Sequence, residues 1–372
     1  PSLVILRSIQ PLPRSLFVVA LSNTFAASLH DRMKTNPIVA VQQEPGVVEI
    51  THHTSENMEQ AVVSHVSRVL HGGKASVLTN TNYEALQILG LLQKNGIRAR
   101  LIQSNDGFSL RNLAEVRFFL GFIDDRLKTP VIGDDLWIAA KKALIDTYAE
   151  SNCLQNCINM LDAFESTNRT KFRTDLDELI KESAYDDYYE SASDAVLVST
   201  IHKAKGREFD TVFLMIKNTF TLDDEQRRKL YVAMTRAKDA LYIHCNSNIF
   251  DYPIPNITRF EDTEGYSEPQ EIILQLTHKD VVLNYFKGKE NIISKLRSGD
   301  ALSISENYLR AMANGRDVPV VKFSKAFSEK LTQLHGKGYH PDKACINFIV
   351  AWKGEEDTEE TLVVLPTLHL KR

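Results

Sequence analysis

The sequence has few cysteines, no long apolar run and almost no net charge. Its four cysteines form no paired motif, which is typical of the reducing cytosol, so we expect a cytoplasmic protein. No stretch approaches the ~18 uninterrupted apolar residues of a transmembrane helix, so we expect no membrane partner. The 44 basic and 48 acidic residues give a net charge of −4. This balance excludes a wholly basic nucleic-acid binder but allows a binding surface on one face.

The composition is that of an ordinary globular protein. Hydrophobic residues make up 43% and charged residues 25% of the 372 positions, a length that suits two to three domains of roughly 150 residues each. The chain opens with Pro1 and shows no signal-peptide pattern. We expect it to be a fragment of a longer protein or an incomplete gene product. Prolines punctuate residues 1–46, where only Leu16–Met33 has helical spacing.

From Val47 onwards, predicted strands alternate with predicted helices. The strands are Val47–Ile50, Ala75–Thr79 and Ile97–Ile102, and the helices are Asn57–Leu70 and Tyr83–Lys94. Such an alternation predicts a parallel α/β sheet.

A helical stretch then interrupts this pattern. Helical spacing recurs over Leu113–Ile123, Leu136–Tyr148, Leu154–Phe164 and Leu176–Tyr189. The alternation resumes with strands at Val196–Thr200 and Thr211–Ile216, a helix at Glu225–Lys238 and a strand at Leu241–Cys245. The simplest interpretation is one α/β domain with a helical insertion of about 80 residues.

The C-terminal part has a different pattern. Prolines and acidic residues over 251–270 predict a linker. Short apolar runs follow at Ile272–Leu276, Val281–Tyr285, Val318–Phe323, Ile346–Trp352 and Thr361–Leu365. They predict a small, mainly β domain with one helix near Glu290–Leu296, and the acidic run Glu355–Glu360 as a hairpin loop.

A polar segment, Thr200–Phe209, lies between two predicted strands. Ligands of open α/β sheets bind at strand ends of this kind. Thr200 and His202 offer short polar groups for sugar or phosphate contacts. Gly206 would let the backbone approach a ligand closely, and Glu208 could accept a hydrogen bond from a ribose hydroxyl.

A second segment, the predicted helix Glu225–Lys238, can place Arg228, Thr235 and Arg236 along an adjacent edge. The planar, permanently charged guanidinium suits a phosphoryl group. Each residue alone has an ordinary structural explanation, since a lone loop histidine or a helical arginine pair is usually a solvated surface feature. The functional interpretation therefore depends on the combination of the two segments.

The two segments resemble motifs V and VI of the UvrD/Rep group of superfamily 1 DNA helicases. The matching patterns are Thr-x-His-x-x-Lys-Gly-x-Glu-Phe-x-x-Val from Thr200 and Glu-x-Arg-Arg-x-Leu-Tyr-Val-Ala-x-Thr-Arg-Ala from Glu225. Weaker similarity at Val77–Asn82, Gly96-Ile97 and Phe108–Leu120 extends the resemblance over about residues 47–246. It is strong only at 198–213 and 225–238.

The resemblance implies a fold class and a domain plan. The fold is an α/β, RecA-like parallel sheet domain with a helical insertion, plus a small mainly β C-terminal domain. The predicted limits are a poorly matched N-terminal segment at 1–46, the second RecA-like helicase domain at 47–107 and 193–250, an inserted helical subdomain at 108–192, a linker at 251–270 and a β-rich accessory domain at 271–372.

The resemblance also implies residue roles. Arg236 corresponds to the arginine finger that contacts the γ-phosphate of ATP and is the expected catalytic residue. Gly206 and Glu208 correspond to nucleotide contacts, and Thr200 and His202 to contacts with single-stranded DNA. Lys205, Arg228, Tyr231 and Thr235 are expected to support the site.

The sequence departs from the family where ATP chemistry begins. It contains no Gly-Lys-Ser/Thr phosphate loop and no Asp-Glu pair after a suitable strand. Gly72-Gly73-Lys74 is interpreted as a helix stop, and Arg14-Ser15 as a poor remnant of motif IV. The ligands of Mg²⁺ and the catalytic base are therefore expected outside this chain, which alone is expected to be inactive.

The resulting hypothesis is the C-terminal motor part of an ATP-dependent DNA helicase. Its cofactor would be ATP with Mg²⁺, and its partners single-stranded and forked DNA and a first RecA-like domain, in cis or in trans. By analogy, the chain could be the UvrD-like module of a larger RecQ-type bacterial helicase. The alternative is a non-catalytic DNA-binding or regulatory remnant. A hydrolase of another fold would need a triad or metal cluster that the sequence does not offer.

Other candidates are weaker. Cys153 and Cys157 lie one helical turn apart, but no further ligand is near, so no metal site is predicted. His52 and His53 are interpreted as surface residues at a strand end. The tyrosines at 185, 188 and 189 are expected to pack on a helix face rather than stack on bases, and the basic residues of 279–297 to serve solubility more than DNA contact.

Overall fold

The computed structural model of the chain describes residues 15–29, 39–40, 44–70, 72–102, 109–183, 185–188, 195–219, 222–313, 315–354 and 359–372. Its contacts divide the chain into two compact units. The first unit is Pro1–Ile102 with Ser191–Pro269, and the second is Gln103–Glu190 with Gln270–Arg372. Each unit therefore combines two separate stretches of sequence.

The described residues form helices and strands with the following bounds. The α-helices are α1 (Leu16–Ala26), α2 (Glu59–Val69), α3 (Asn82–Lys94), α4 (Ala114–Asp124), α5 (Asp134–Tyr148), α6 (Leu154–Thr167), α7 (Arg173–Glu182), α8 (Asp224–Met234), α9 (Glu290–Ile293) and α10 (Lys325–Gly336). The strands are β1 (Val47–His53), β2 (Ala75–Thr79), β3 (Ala99–Leu101), β4 (Val131–Ile132), β5 (Lys171–Phe172), β6 (Val196–Thr200), β7 (Phe209–Ile216), β8 (Ala237–Cys245), β9 (Thr258–Asp262), β10 (Glu271–Gln275), β11 (Ala301–Ser305), β12 (Tyr308–Ala313), β13 (Arg316–Lys322), β14 (His340–Trp352) and β15 (Thr361–Lys371).

The first unit is built on a seven-stranded sheet with the order β3-β6-β2-β7-β8-β1-β9. Every neighbouring pair in this sheet is parallel. Strands β2 and β6 are buried along their whole length. Continuous burial is expected when helices cover both faces of a parallel sheet.

The helices of the first unit cover both faces of the sheet. On one face, Leu21 of α1 and Leu230 of α8 belong to the same buried cluster as Leu214 of β7. On the other face, Val62 of α2 and Ile88 of α3 pack with Phe213, the residue of β7 that precedes Leu214. Successive residues of a strand point to opposite faces, so one apolar strand serves both cores.

Two predictions for the first unit need correction. The helix expected over Glu225–Lys238 ends at Met234, and Ala237 and Lys238 instead begin β8. Within the predicted linker 251–270, residues Thr258–Asp262 form the edge strand β9, which pairs with β1. Charged and exposed residues are common on edge strands, and for that reason the composition of this segment resembled a linker.

The second unit contains helices α4 to α7 and an antiparallel sheet with the order β10-β15-β14-β11-β12-β13. Strands β14 and β15, of 13 and 11 residues, pair along most of their length and are longer than the apolar runs predicted. The run Val281–Tyr285 is not a regular strand, because it contributes one bridge from Val281 and then a 3₁₀ turn at Leu283–Phe286. The helix α10 was not predicted.

Together the two sheets confirm the predicted fold class of an α/β parallel sheet domain with a helical insertion and a mainly β part. Among the described residues, no helix is both long enough and apolar enough to span a membrane. Arg14, Tyr189 and the residues 355–358 of the acidic run, all mentioned in the sequence interpretation, lie outside the described residues.

Candidate functional site

Motif V begins where β6 ends. The carbonyl oxygen of Thr200 accepts hydrogen bonds from the backbone N–H groups of Lys203 (3.1 Å) and Ala204 (3.2 Å), which folds the chain into a tight turn. Ile201 and Ala204 are buried, whereas His202 and Lys205 are exposed. The turn therefore alternates between apolar side chains that anchor it and polar side chains that face solvent.

Gly206 lets the loop reverse towards β7. Its φ of +86° lies in the left-handed region, which side chains other than glycine rarely adopt. An added Cβ would meet no atom of the described residues within 4 Å, so backbone conformation rather than space requires glycine here. Glu208 follows, half-buried, immediately before the first residue of β7.

Motif VI lies on α8 and on the connection after it. The helix begins with a capping box, in which Asp223 and Gln226 satisfy each other's backbone N–H groups. Leu230 and Ala233 point inward into the cluster that holds Ile201 and Ala204 of the motif V loop. The two motifs, about twenty residues apart in sequence, are thus packed together by ordinary apolar contacts.

Arg236 joins the two motifs directly. Its Nε donates to the carbonyl oxygen of Val232 (3.1 Å), and its Nη1 donates to the carbonyl oxygen of Arg207 (3.1 Å) in the motif V loop. Its own carbonyl oxygen accepts from the N–H of Phe209 (3.0 Å). The guanidinium is therefore fixed from both segments at the start of β7 and β8, and this arrangement is termed the Arg236 junction.

The remaining motif VI residues have different positions. Thr235 is buried and its hydroxyl donates to the carbonyl oxygen of Val232 (2.9 Å), so its role is to shape the end of α8. Tyr231 packs partly buried against the same apolar cluster. Arg228 is exposed, and the preceding Arg227 donates to the Ser28 hydroxyl (3.0 Å).

The structure separates the predicted site residues into two groups. Thr200 is the last residue of β6 and pairs with the last residue of β2, at the carboxyl edge of the sheet. Phe209 and Ala237, which flank Glu208 and Arg236, pair at the amino edge. Since five strand residues span about 16 Å, Thr200 and His202 lie at the edge opposite to Arg236 and Glu208.

A cluster that the sequence interpretation missed lies on the other face of the first unit. His53 Nδ1 is 3.0 Å from Asp262 Oδ2, and His53 Nε2 is 2.9 Å from His244 Nδ1. His244 Nε2 is 3.0 Å from His65 Nδ1, and His65 Nε2 is 3.6 Å from Glu49 Oε2. These five side chains are termed the histidine row.

The histidine row corrects one prediction, because His53 is buried rather than a surface residue. Burial lowers the pKa of all three histidines, that of His65 to about 4. Sequence offered one weak signal, since Glu49, Thr51 and His53 share a strand face. No local sequence pattern indicated that this strand face would meet residues of α2, β8 and β9.

The cysteines show no sign of a metal site. Cys153 and Cys157 are both buried in the second unit, and burial raises the pKa of Cys153 to about 12. Within the part of the chain that the structure describes, no group of His, Cys, Asp or Glu residues could hold a metal ion. Tyr185 is buried and its ring packs edge-on against Phe348.

Comparison with known proteins gives one family match. Residues 131–248 match the model of the UvrD-like helicase C-terminal domain. YjcD of Bacillus subtilis (strain 168), named as a proposed ATP-dependent DNA helicase, is 42% identical over a stretch that covers 14% of this chain and 9% of YjcD. The match thus spans less than a tenth of that relative's length.

Solved structures are only distantly similar. The C-terminal domain of a possible DNA helicase from Lactobacillus plantarum WCFS1 aligns over 66% of this chain and 98% of its own, with 12% identity and a TM-score of 0.33. VirB4 of Thermoanaerobacter pseudethanolicus aligns over 76% and 91%, with 12% identity and a TM-score of 0.22. Scores this low carry no argument about this chain, and the family match stands on sequence. Over residues 131–248, the chain is similar to the UvrD-like helicase C-terminal domain.

Proposed function

We propose that the chain is the C-terminal motor part of an ATP-dependent DNA helicase, which couples ATP hydrolysis to translocation on single-stranded DNA and to duplex unwinding. The observation that carries this proposal is the Arg236 junction. An arginine held by two hydrogen bonds to main-chain carbonyl oxygens is pre-oriented, as a group that stabilises charge on a phosphoryl oxygen must be.

The nucleotide side of the proposed site is the amino edge of β7 and β8. Arg236 would contact the γ-phosphate of ATP, while Gly206 and Glu208 would line the nucleotide. ATP supplies the phosphoryl group, and its Mg²⁺ would be held by residues of a first RecA-like domain, in cis or in trans. The residues present fit only the part of the site that contributes an arginine, because the sequence has no phosphate loop.

The DNA side would be the turn at the carboxyl edge of β6. His202 and Lys205 are exposed there and can contact phosphates or bases of single-stranded DNA, with Thr200 shaping the turn. Arg228, Tyr231 and Thr235 would support α8. Since one loop links the two edges, a change at Arg207 on nucleotide binding would be transmitted to His202 through the four residues between them.

A binding experiment on the whole chain tests this division. We expect a labelled single-stranded oligonucleotide to bind in a fluorescence anisotropy titration, more weakly as salt increases. His202→Ala should weaken binding severalfold, whereas Lys94→Ala, which removes an exposed cation from the end of α3, should not. Arg236→Ala should reduce DNA affinity less than His202→Ala does, because Arg236 lies at the opposite edge and contacts the loop through the Arg207 carbonyl oxygen.

ATP hydrolysis by the chain alone should be absent, with or without DNA. Absence of DNA binding by the wild-type chain would contradict the motor proposal. DNA-stimulated turnover that Arg236→Ala abolishes would instead contradict the assignment of the catalytic base and Mg²⁺ ligands to another domain. A non-catalytic remnant would show DNA binding but no effect of Arg236→Ala on turnover once a phosphate-loop domain is supplied.

A further inference from the structure

The geometry of the histidine row determines which ring nitrogen of each histidine carries the proton. Asp262 can only accept: its Oδ2 accepts from the Tyr266 hydroxyl (2.9 Å) and its Oδ1 from the N–H of Glu264 (3.0 Å). His53 Nδ1 lies 3.0 Å from Oδ2 in a close, imperfectly aligned contact. At that separation the ring nitrogen must carry the proton, because a lone pair would face the carboxylate oxygen.

The position of the proton on His53, next to Asp262, determines the donor and acceptor nitrogens of the other two histidines. With its proton on Nδ1, neutral His53 presents Nε2 as an acceptor, so the proton between it and His244 belongs to His244 Nδ1. His244 Nε2 is then an acceptor, and the proton in the next contact belongs to His65 Nδ1. Three neutral imidazoles supply three protons, one for each of the three short contacts.

The fourth contact is left without a proton. His65 Nε2 presents a lone pair to Glu49 Oε2 at 3.6 Å, which is too long for a hydrogen bond. His65 is 5% exposed, and within the described residues this nitrogen has no hydrogen-bond partner. Both residues line a cavity of about 480 Å³ that also reaches the exposed residues Ser64 and Arg68. Two acceptors that face each other beside a cavity open to solvent form an incomplete pair.

We propose that His65 and Glu49 bind one proton between them, taken up from solvent through this cavity, and that Asp262 holds the row in the orientation that keeps the site open. The uptake adds one proton and breaks no bond. It converts two facing acceptors into one hydrogen bond, as Glu49 O–H to His65 Nε2 or as imidazolium to carboxylate. Glu49 needs to approach His65 by less than about 1 Å to make this bond.

The surroundings place the uptake on the acid side of neutrality. The titratable and charged groups that face the pair are Arg68 on α2, Tyr242 and His244 on β8, His53 on β1, Asp262 on β9 and Tyr266. Burial raises the pKa of Glu49 despite the nearby Arg68. Burial, then Arg68 and then His53, lowers the pKa of His65 to about 4. At neutral pH the row therefore stays at three protons.

Nitrogen and carbon NMR of the whole chain labelled with ¹⁵N-histidine and ¹³C-glutamate tests the proposal directly. At pH 7.5 we expect His53, His244 and His65 all to be neutral with the proton on Nδ1. On acidification towards pH 4, one uptake should appear together at His65 Nε2 and at the Glu49 carboxyl carbon. A proton on Nε2 of any of the three at pH 7.5, or independent titration of all three near pH 6.5, would overturn the proposal.

Asp262→Asn should reverse the donors and acceptors along the histidine row. The N–H of Glu264 holds the amide oxygen at the Oδ1 position, so the amide nitrogen replaces Oδ2 and donates to His53 Nδ1. All three protons should then move to Nε2, and His65 should donate to Glu49 at neutral pH. Retention of the Nδ1 protons in a folded Asp262→Asn chain would contradict the mechanism.

Glu49→Gln provides a second variant. Its amide can donate to His65 Nε2 at every pH, so the uptake between pH 7.5 and 4 should disappear while the Nδ1 protons remain. The matched control is Glu261→Gln, which removes an exposed carboxylate from the opposite side of β9 and should leave the uptake unchanged. If the proton uptake persists in Glu49→Gln, the proton binds at another site and the proposal is wrong.

Discussion

The first unit holds two polar clusters of opposite construction. At the Arg236 junction, one side chain is held by main-chain carbonyl oxygens of Val232 and Arg207 beside half-exposed loop residues. In the histidine row, buried side chains hold one another, and no main-chain group takes part in the contacts that link them. The first arrangement tolerates a change of side chain, whereas in the second each removal strands a buried neighbour.

The largest expected effect is that of His244→Ala. The change leaves His53 Nε2 and His65 Nδ1 without partners and opens a cavity at a buried position, so we expect a loss of about 4 kcal/mol. Arg236→Ala should cost about 1 kcal/mol, because its two carbonyl partners lie near solvent. Native-state hydrogen exchange of the β1 and β8 amides measures both losses. Equal losses would remove the distinction between the clusters.

The pH dependence should be specific to the row. The pKa of His65 is about 4 in the folded chain, whereas its ordinary value is 6.5. Between these two pH values the unfolded chain binds a proton at His65 and the folded chain does not. The stabilisation is complete above pH 6.5 and is lost as the pH falls towards 4, by about 3 kcal/mol. In His65→Gln, the slope of the unfolding free energy against pH between pH 6 and pH 5 should decrease by the amount that corresponds to about one bound proton. An unchanged slope would contradict this assignment.

A smaller effect is expected at the motif V loop. Gly206→Ala forces a side chain into the left-handed region and should destabilise the first unit by about 1 kcal/mol, whereas Gly206→Asn should cost less. Gly121→Ala is the control, because this helical glycine has open space around it and no positive φ. It should be neutral or stabilising, by up to about 1 kcal/mol. Thermal unfolding of the three variants compares them.

The smallest effect on stability should accompany the proposed DNA contact. His202 is exposed, so His202→Ala should change the unfolding free energy by less than about 0.5 kcal/mol. The same variant is expected to lose DNA affinity. A large loss of stability would mean that His202 shapes the loop, and its effect on binding would then say nothing about contact.

The contrast explains what sequence could and could not reveal. The strands of the sheet other than β9, and the helices α2 and α3, were predictable, because apolar periodicity is local. The segments around Thr200 and Arg236 were recognisable, because each is a short run with fixed spacing. The histidine row was not, since His53 and His244 lie 191 positions apart and meet only through sheet order. The edge strand β9 was missed because its exposed residues lack apolar alternation.

The discontinuous first unit also constrains the order in which the chain can fold as it is synthesised. Strand β2 lies between β6 and β7, yet both neighbours follow it by more than 110 residues. Until the ribosome has released the chain through Thr200, the buried strand Ala75–Thr79 has no partner on either side, and its second neighbour is complete only at Ile216. The nascent chain therefore carries an unpaired apolar strand through the synthesis of the whole helical segment, at about 5 to 20 residues per second. The strand therefore needs protection during those seconds, although in the folded chain it is paired on both sides.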